Sequence, residues 1–105
     1  MLIEVLYIDG CPHYARFVAH LAELVNRAGV SAPVRQRRVD DDEAARVEQF
    51  LGSPTLRIDG RDVDPAARER EDYGMQCRVY PTFDGLRGWP PDAWVLAALG
   101  AAAGG

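Results

Sequence analysis

The sequence predicts an α/β domain with a four-stranded mixed sheet in the order 2-1-3-4, flanked by helices. Three observations predict it. An almost unbroken apolar run, Leu2 to Ile8, gives way at Pro12 to a helix-period pattern. A second strand, Val34 to Val39, follows that helix, and a helical crossover makes the first two strands parallel. A third strand, Thr55 to Ile58, turns through Asp59-Gly60 into a short strand around Val63, and so tight a turn makes the last two antiparallel.

The first strand carries Leu2, Ile3, Val5, Leu6, Tyr7 and Ile8, a continuity expected of a central strand covered on both faces. Asp9-Gly10 ends it. Tyr14, Phe17, Val18, Leu21, Leu24, Val25 and Ala28 then recur at three- and four-residue steps, with Arg16, His20, Glu23 and Arg27 on the opposite face. Gly29 fits the residue just past this helix. The second strand holds Arg35, Gln36, Arg37 and Arg38 between its apolar ends, which places it at a sheet edge. Asp41 or Asp42 can cap a short helix carrying Ala44, Val47, Phe50 and Leu51, which Gly52 ends.

Beyond the hairpin, Asp64-Pro65 reads as cap and first residue of a short polar helix through about Glu71. Tyr73 to Asp84 carries the weakest pattern, with Cys77-Arg78-Val79-Tyr80 as an extended candidate. Pro90-Pro91-Asp92 opens a last helix with Trp94, Val95, Leu96 and Leu99 for packing. Residues 1–100 form one domain, and 101–105 are expected as a disordered tail.

A length of 105 residues suits a single domain that buries roughly 60–70% of its unfolded surface, so neither disulfide nor metal is needed for folding. A net charge of −4, with acids beside the arginine clusters, argues against a nucleic-acid partner. The absence of lysine excludes Schiff-base and P-loop lysine chemistry. Glu4 inside the first apolar run, and the lack of a basic segment before it, read as a strand rather than a signal peptide. No membrane partner and a cytoplasmic setting follow as expectations. There, two cysteines are more often reactive, metal-binding or inert than a structural bridge.

Cys11-Pro12-His13-Tyr14 is the stretch that carries chemistry. A cysteine where a strand turns into a helix meets unpaired backbone N–H groups and a partial positive charge, both of which favour thiolate. Pro12 suits the first helical turn. Tyr14 stands where a dithiol site would have its second cysteine.

The element order, the Cys-Pro turn after the first strand and the Ser53-Pro54-Thr55 step before the third together resemble the thioredoxin-like fold, closest to glutaredoxin-type and small thioredoxin-domain proteins. The resemblance covers about residues 2 to 63 and the final helix. Cys11-Pro12-His13 is similar to the Cys-Pro-His-Cys site of dithiol oxidants, with Tyr14 replacing the resolving cysteine. Leu51-Gly52-Ser53-Pro54-Thr55, Asp59-Gly60-Arg61-Asp62-Val63 and the late Cys77-Arg78-Val79-Tyr80 resemble a group of small bacterial thioredoxin-like proteins, some labelled as related to alkylmercury lyase. The resemblance implies that Cys11 is the nucleophile and Pro54 a cis proline facing it. It also implies that Ser53 offers its backbone to an extended thiol substrate or to glutathione. Pro12, His13, Tyr14 and Thr55 complete the implied substrate surface.

Each residue has a plainer reading beside the functional one. Cys11 is a reactive thiol or a small buried hydrophobe. His13 stabilises a thiolate or lies exposed, and His20 reads as solvated surface. Tyr14 packs in the core or donates its hydroxyl to sulfur. Cys77 is a resolving thiol, a second soft ligand or an inert buried residue, and Arg78 beside it could favour its thiolate. Asp9 caps the strand end or accepts a proton, and Asp9, Cys11 and Cys77 would make the triple that carbon–mercury cleavage needs. The cysteines and histidines lack structural-zinc spacing, so no metal site is expected.

Three functions follow. The first is thiol–disulfide exchange through Cys11, resolved by Cys77 or by a small thiol such as glutathione, with no resident cofactor and with protein or small-molecule thiols and disulfides as partners. The second is soft-metal or organomercurial binding by both thiols. The third is a redox-silent interaction module.

Overall fold

The structure is a computed structural model that describes residues 1–104. Its elements run β1 (Ile3–Tyr7), α1 (Tyr14–Arg27), β2 (Val34–Arg38), α2 (Asp42–Val47), β3 (Thr55–Ile58), β4 (Arg61–Asp62), β5 (Tyr80–Thr82), β6 (Gly85–Arg87) and α3 (Asp92–Gly104), with a 3-10 turn at Ala67–Glu69 between β4 and β5. The main sheet has the order β2-β1-β3-β4, as the sequence predicts. β1 runs parallel to β2 with Ile3 opposite Val34, and antiparallel to β3 with Ile3 opposite Ile58. β3 and β4 are antiparallel.

Two cores lie on opposite faces of this sheet, as the period-two alternation of β1 requires. Ile3 and Val5 point to one face and pack with Leu56 and Ile58 of β3, with Phe17, Leu21, Leu24 and Val25 of α1, and with Val95 and Leu99 of α3. Leu6 points to the other face and packs with Val39, Ala45 and Phe50. Each such side chain contributes on the order of 2 kcal/mol by leaving water. β2 exposes Arg35, Gln36, Arg37 and Arg38, as an edge strand can.

Four boundaries differ from the sequence reading. α1 begins at Tyr14 with His13 as its N-cap, so Pro12 lies in the turn ahead of the helix rather than inside its first turn. α2 is capped by the Asp41 side chain, which accepts from the Ala44 N–H at 2.8 Å, but stops at Val47. Gln49 takes a φ of 54° there, and the Phe50 N–H folds back to the Ala45 carbonyl, so Phe50 and Leu51 are buried beyond the helix. The polar helix expected from Asp64 to Glu71 is a single 3-10 turn, begun by Asp64 accepting from the Ala66 N–H at 2.9 Å. Residues 101–104 continue α3, with Ala102 packed against the first core, in place of the expected disordered tail. Gly105 of that tail lies outside the described residues.

The segment of weakest pattern, Tyr73 to Asp84, is partly extended, as expected for Cys77 to Tyr80. Cys77 forms an isolated parallel bridge with Ser53, and β5 and β6 make a separate hairpin in which Thr82 faces Gly85.

Candidate functional site

β1 ends in a turn closed by the Cys11 N–H donating to the Ile8 carbonyl at 3.4 Å. Gly10, at a φ of 77°, supplies the left-handed residue such a turn takes in its third position. This places Cys11 at the C-terminal end of the central strand, half-buried, two residues ahead of the α1 cap.

The loop before β3 reaches the same turn. Extending the β1–β3 register by two residues beyond Leu6 and Thr55 brings Ile8 opposite Ser53. There the Ile8 N–H donates to Ser53 Oγ at 3.2 Å. The Ser53–Pro54 peptide bond is cis. Ser53, Pro54 and Thr55 are all buried, and their polar groups serve the loop itself. Thr55 Oγ1 donates to the Gly52 carbonyl at 2.6 Å, and the Pro54 carbonyl accepts from the Tyr80 hydroxyl at 2.5 Å.

The Ser53 backbone, expected to lie open to a substrate, is already paired. Its N–H donates to the Gln76 carbonyl at 2.8 Å, and its carbonyl accepts from the Arg78 N–H at 3.0 Å. Cys77 therefore sits directly across from Ser53. Facing residues in a parallel bridge put their side chains on the same side of the ribbon, so the Cys77 thiol leaves the backbone on the Ser53 Oγ side. Cys77 is exposed, which excludes its reading as an inert buried residue, and both thiols are free. A chain of three links, from Cys11 to Ile8 to Ser53 to Cys77, thus connects two cysteines that are 66 positions apart in sequence, 77 minus 11.

Arg78 points the other way and fixes this arrangement. Its side chain is 1% exposed and meets Asp62 at 2.7 Å and Asp64 at 3.3 Å. It also donates to Thr55 Oγ1 at 3.0 Å and lies 4.6 Å from the centre of the Tyr80 ring. Among the described residues, its Nε finds no partner. Burial opposes the charge, and the interactions with Tyr80, Asp62 and Asp64 outweigh it, so its pKa stands above the ordinary value. Arg78 is thus engaged away from the Cys77 thiol, contrary to the expectation that it stabilises that thiolate. Gly52 lets the two backbones meet. It has a φ of 132°, and a Cβ there would come 2.9 Å from Arg78 Cβ.

The remaining candidates are drawn elsewhere. Tyr14 stacks on Tyr7 with ring centres 3.8 Å apart, and its hydroxyl donates to Gln36 on β2 rather than to sulfur. Asp9 pairs with Arg38 at 3.4 Å, also on the β2 side, so the Asp9–Cys11–Cys77 triple is not assembled. His13 lies against Gly88, where a Cβ would run into its ring, and meets Trp89 edge-on at 6.0 Å. His20, expected as solvated surface, is half-buried and joins α1 to α3 through Asp92 at 2.7 Å. Pro12 is exposed beside Cys11. Among the described residues, no group of three or more His, Cys, Asp or Glu side chains could hold a metal ion. No helix among them is long and apolar enough to cross a membrane.

Gly52, Asp62, Asp64, Gln76, Arg78 and Tyr80 shape the site and are not obvious in the sequence. The one signal is the spacing of Arg78 two residues before Tyr80, which puts both on one face of an extended stretch. Compared with known proteins, the chain matches no family model, no curated protein and no solved structure.

Proposed function

We propose that this chain is a thioredoxin-like thiol–disulfide exchange protein in which Cys11 is the nucleophile and Cys77 the resolving thiol. The observation that carries this reading is the Ser53–Cys77 bridge beside the Ile8–Cys11 turn. The sheet order, the cis Ser53–Pro54 bond and the cysteine between β1 and α1 support the thioredoxin-like frame.

The chemistry balances with the chain's own groups. Cys11 thiolate attacks one sulfur of a disulfide, forms a mixed disulfide and expels the first thiolate. Cys77 thiolate then attacks Cys11 Sγ, the second thiolate leaves, and two electrons have passed from the two protein thiols to the substrate. Two equivalents of a small thiol such as glutathione restore both cysteines by the reverse exchange and leave as their own disulfide. Half-exposure of Cys11 and exposure of Cys77 suit these roles, because both sulfurs must be reached from solvent.

Steady-state disulfide reduction with a small-thiol reductant tests the assignment. Cys11→Ser should abolish turnover. Cys77→Ser should slow turnover and, mixed with the disulfide in the absence of reductant, should stop at the first mixed disulfide, detectable as a stable adduct by intact mass. Full turnover of Cys11→Ser would overturn the nucleophile, and unchanged turnover of Cys77→Ser without a trapped adduct would overturn the resolving thiol.

A further inference from the structure

We infer that residues 76–78 permanently occupy the backbone edge beside Cys11, and that this excludes extended polypeptide disulfides and leaves small disulfides as the substrate class. The inference rests on the exchange reading above and sets its specificity.

An extended chain docks on a protein edge by pairing with free backbone N–H and C=O groups. The residue whose hydroxyl holds the end of β1 at the Cys11 turn is Ser53, and both its backbone groups are taken, by the Gln76 carbonyl and the Arg78 N–H. The occupying segment is fastened at every second residue. The Gly74 N–H donates to the Phe50 carbonyl at 3.1 Å, and Gln76 Nε2 donates to the Leu51 carbonyl at 3.0 Å. Arg78 is locked to Asp62 and Asp64, and the Tyr80 hydroxyl to the Pro54 carbonyl. Cys77 and Val79, the alternate residues, face outward and are exposed.

Displacing this segment is unfavourable. An incoming peptide would replace only two backbone hydrogen bonds, whereas peeling the segment away would separate a buried guanidinium from two carboxylates that are themselves largely buried. A disulfide that reaches Cys11 end-on, with no need for strand pairing, meets no such barrier. The arrangement also keeps Cys77 beside Ser53 without waiting for a partner. The chain therefore supplies internally the strand contact that an extended substrate would otherwise provide.

The test compares bis(2-hydroxyethyl) disulfide with the disulfide-linked dimer of a linear, uncharged peptide, using the full chain. The ratio of small-disulfide to peptide rates should be one or greater, because the occupied edge denies the peptide the two backbone hydrogen bonds that would otherwise favour it by roughly thirty-fold. Gly52→Ala, which forces Arg78 away from the loop, should shrink that ratio. Reduction of the peptide dimer faster than the small disulfide by about that factor in the unaltered protein would overturn the inference. A second readout needs no turnover: amide resonances of Ser53 and Arg78 followed by NMR as a cysteine-free extended peptide is added. They should stay unshifted and protected from exchange. Shifts confined to these two amides would mean that the peptide displaces the segment, and would also overturn the inference. Loss of Cys11-dependent reduction of both disulfides, with the amides still protected, would instead sink the exchange reading and leave the occupied edge standing.

Discussion

Arg78 is the residue on which the site's geometry depends, because it is one position from Cys77 and almost wholly inaccessible. Removing its charge leaves Asp62 and Asp64, with side chains 13% and 10% exposed, facing each other without a cation. Breaking a buried pair from one side costs about 3–5 kcal/mol, far more than an exposed pair such as Arg38–Asp40 contributes. Arg78→Leu should therefore lower the unfolding free energy by about 3 kcal/mol or more in a denaturant titration, and Arg38→Leu should leave it nearly unchanged. Equal losses in the two variants would show that the Asp62–Arg78–Asp64 cluster does not hold the segment. The Cys11 neighbourhood was legible at this scale, because a cysteine between an apolar strand and an apolar-striped helix can sit only at the strand end. The partners of Ser53 were not, because backbone pairing carries no side-chain signature.

At the scale of elements, α1 follows from its apolar stripe and β1 from an unbroken apolar run buried on both faces, whereas α3, apolar nearly all round, is marked by Pro90-Pro91-Asp92 at its start. The early end of α2 carries no such signal, because Phe50 and Leu51 are buried whether or not the helix continues to them. The β5–β6 hairpin shows why Tyr73 to Asp84 carries so weak a pattern: Pro81 interrupts one strand, and Gly85, Leu86 and Arg87 of the other are all exposed, so no alternating face is formed. Tyr80 at its root ties the segment to the loop before β3, and this connection is sensitive to pH. Burial pushes the Tyr80 phenol far above its usual value of 10.0, against the opposing effect of the Arg78 charge. A raised folded-state pKa contributes stability that is complete below pH 10.0 and is lost as pH rises, because only the unfolded chain ionises there. Stability should fall by about 1.4 kcal/mol per pH unit above that point, one proton's worth. Tyr80→Phe should lower stability at neutral pH by roughly 1 kcal/mol for the lost hydrogen bond to Pro54 and should flatten the alkaline slope. An unchanged slope in Tyr80→Phe would assign the alkaline transition to other groups.

Across the whole molecule, the sheet positions two thiols that sequence distance alone would never connect. β1 brings Cys11 to one end of the central strand, the antiparallel neighbour β3 carries Ser53 to the same end, and the segment after β4 returns along the far side of that loop with Cys77. Two clefts, of about 500 and 650 Å³, lie instead along β4 and α3, and neither cysteine lines them. Cys77 is exposed and Cys11 half-buried at their end of the sheet.

The central claim, that Cys77 lies within bonding reach of Cys11, is tested most directly by intact mass with free-thiol counting on dilute protein after mild oxidation. A monomer lighter by two hydrogens, with both thiols lost and both regained on reduction, is the predicted result. Two thiols that stay free, or that react only with thiols of other molecules, would contradict it and remove Cys77 from the mechanism.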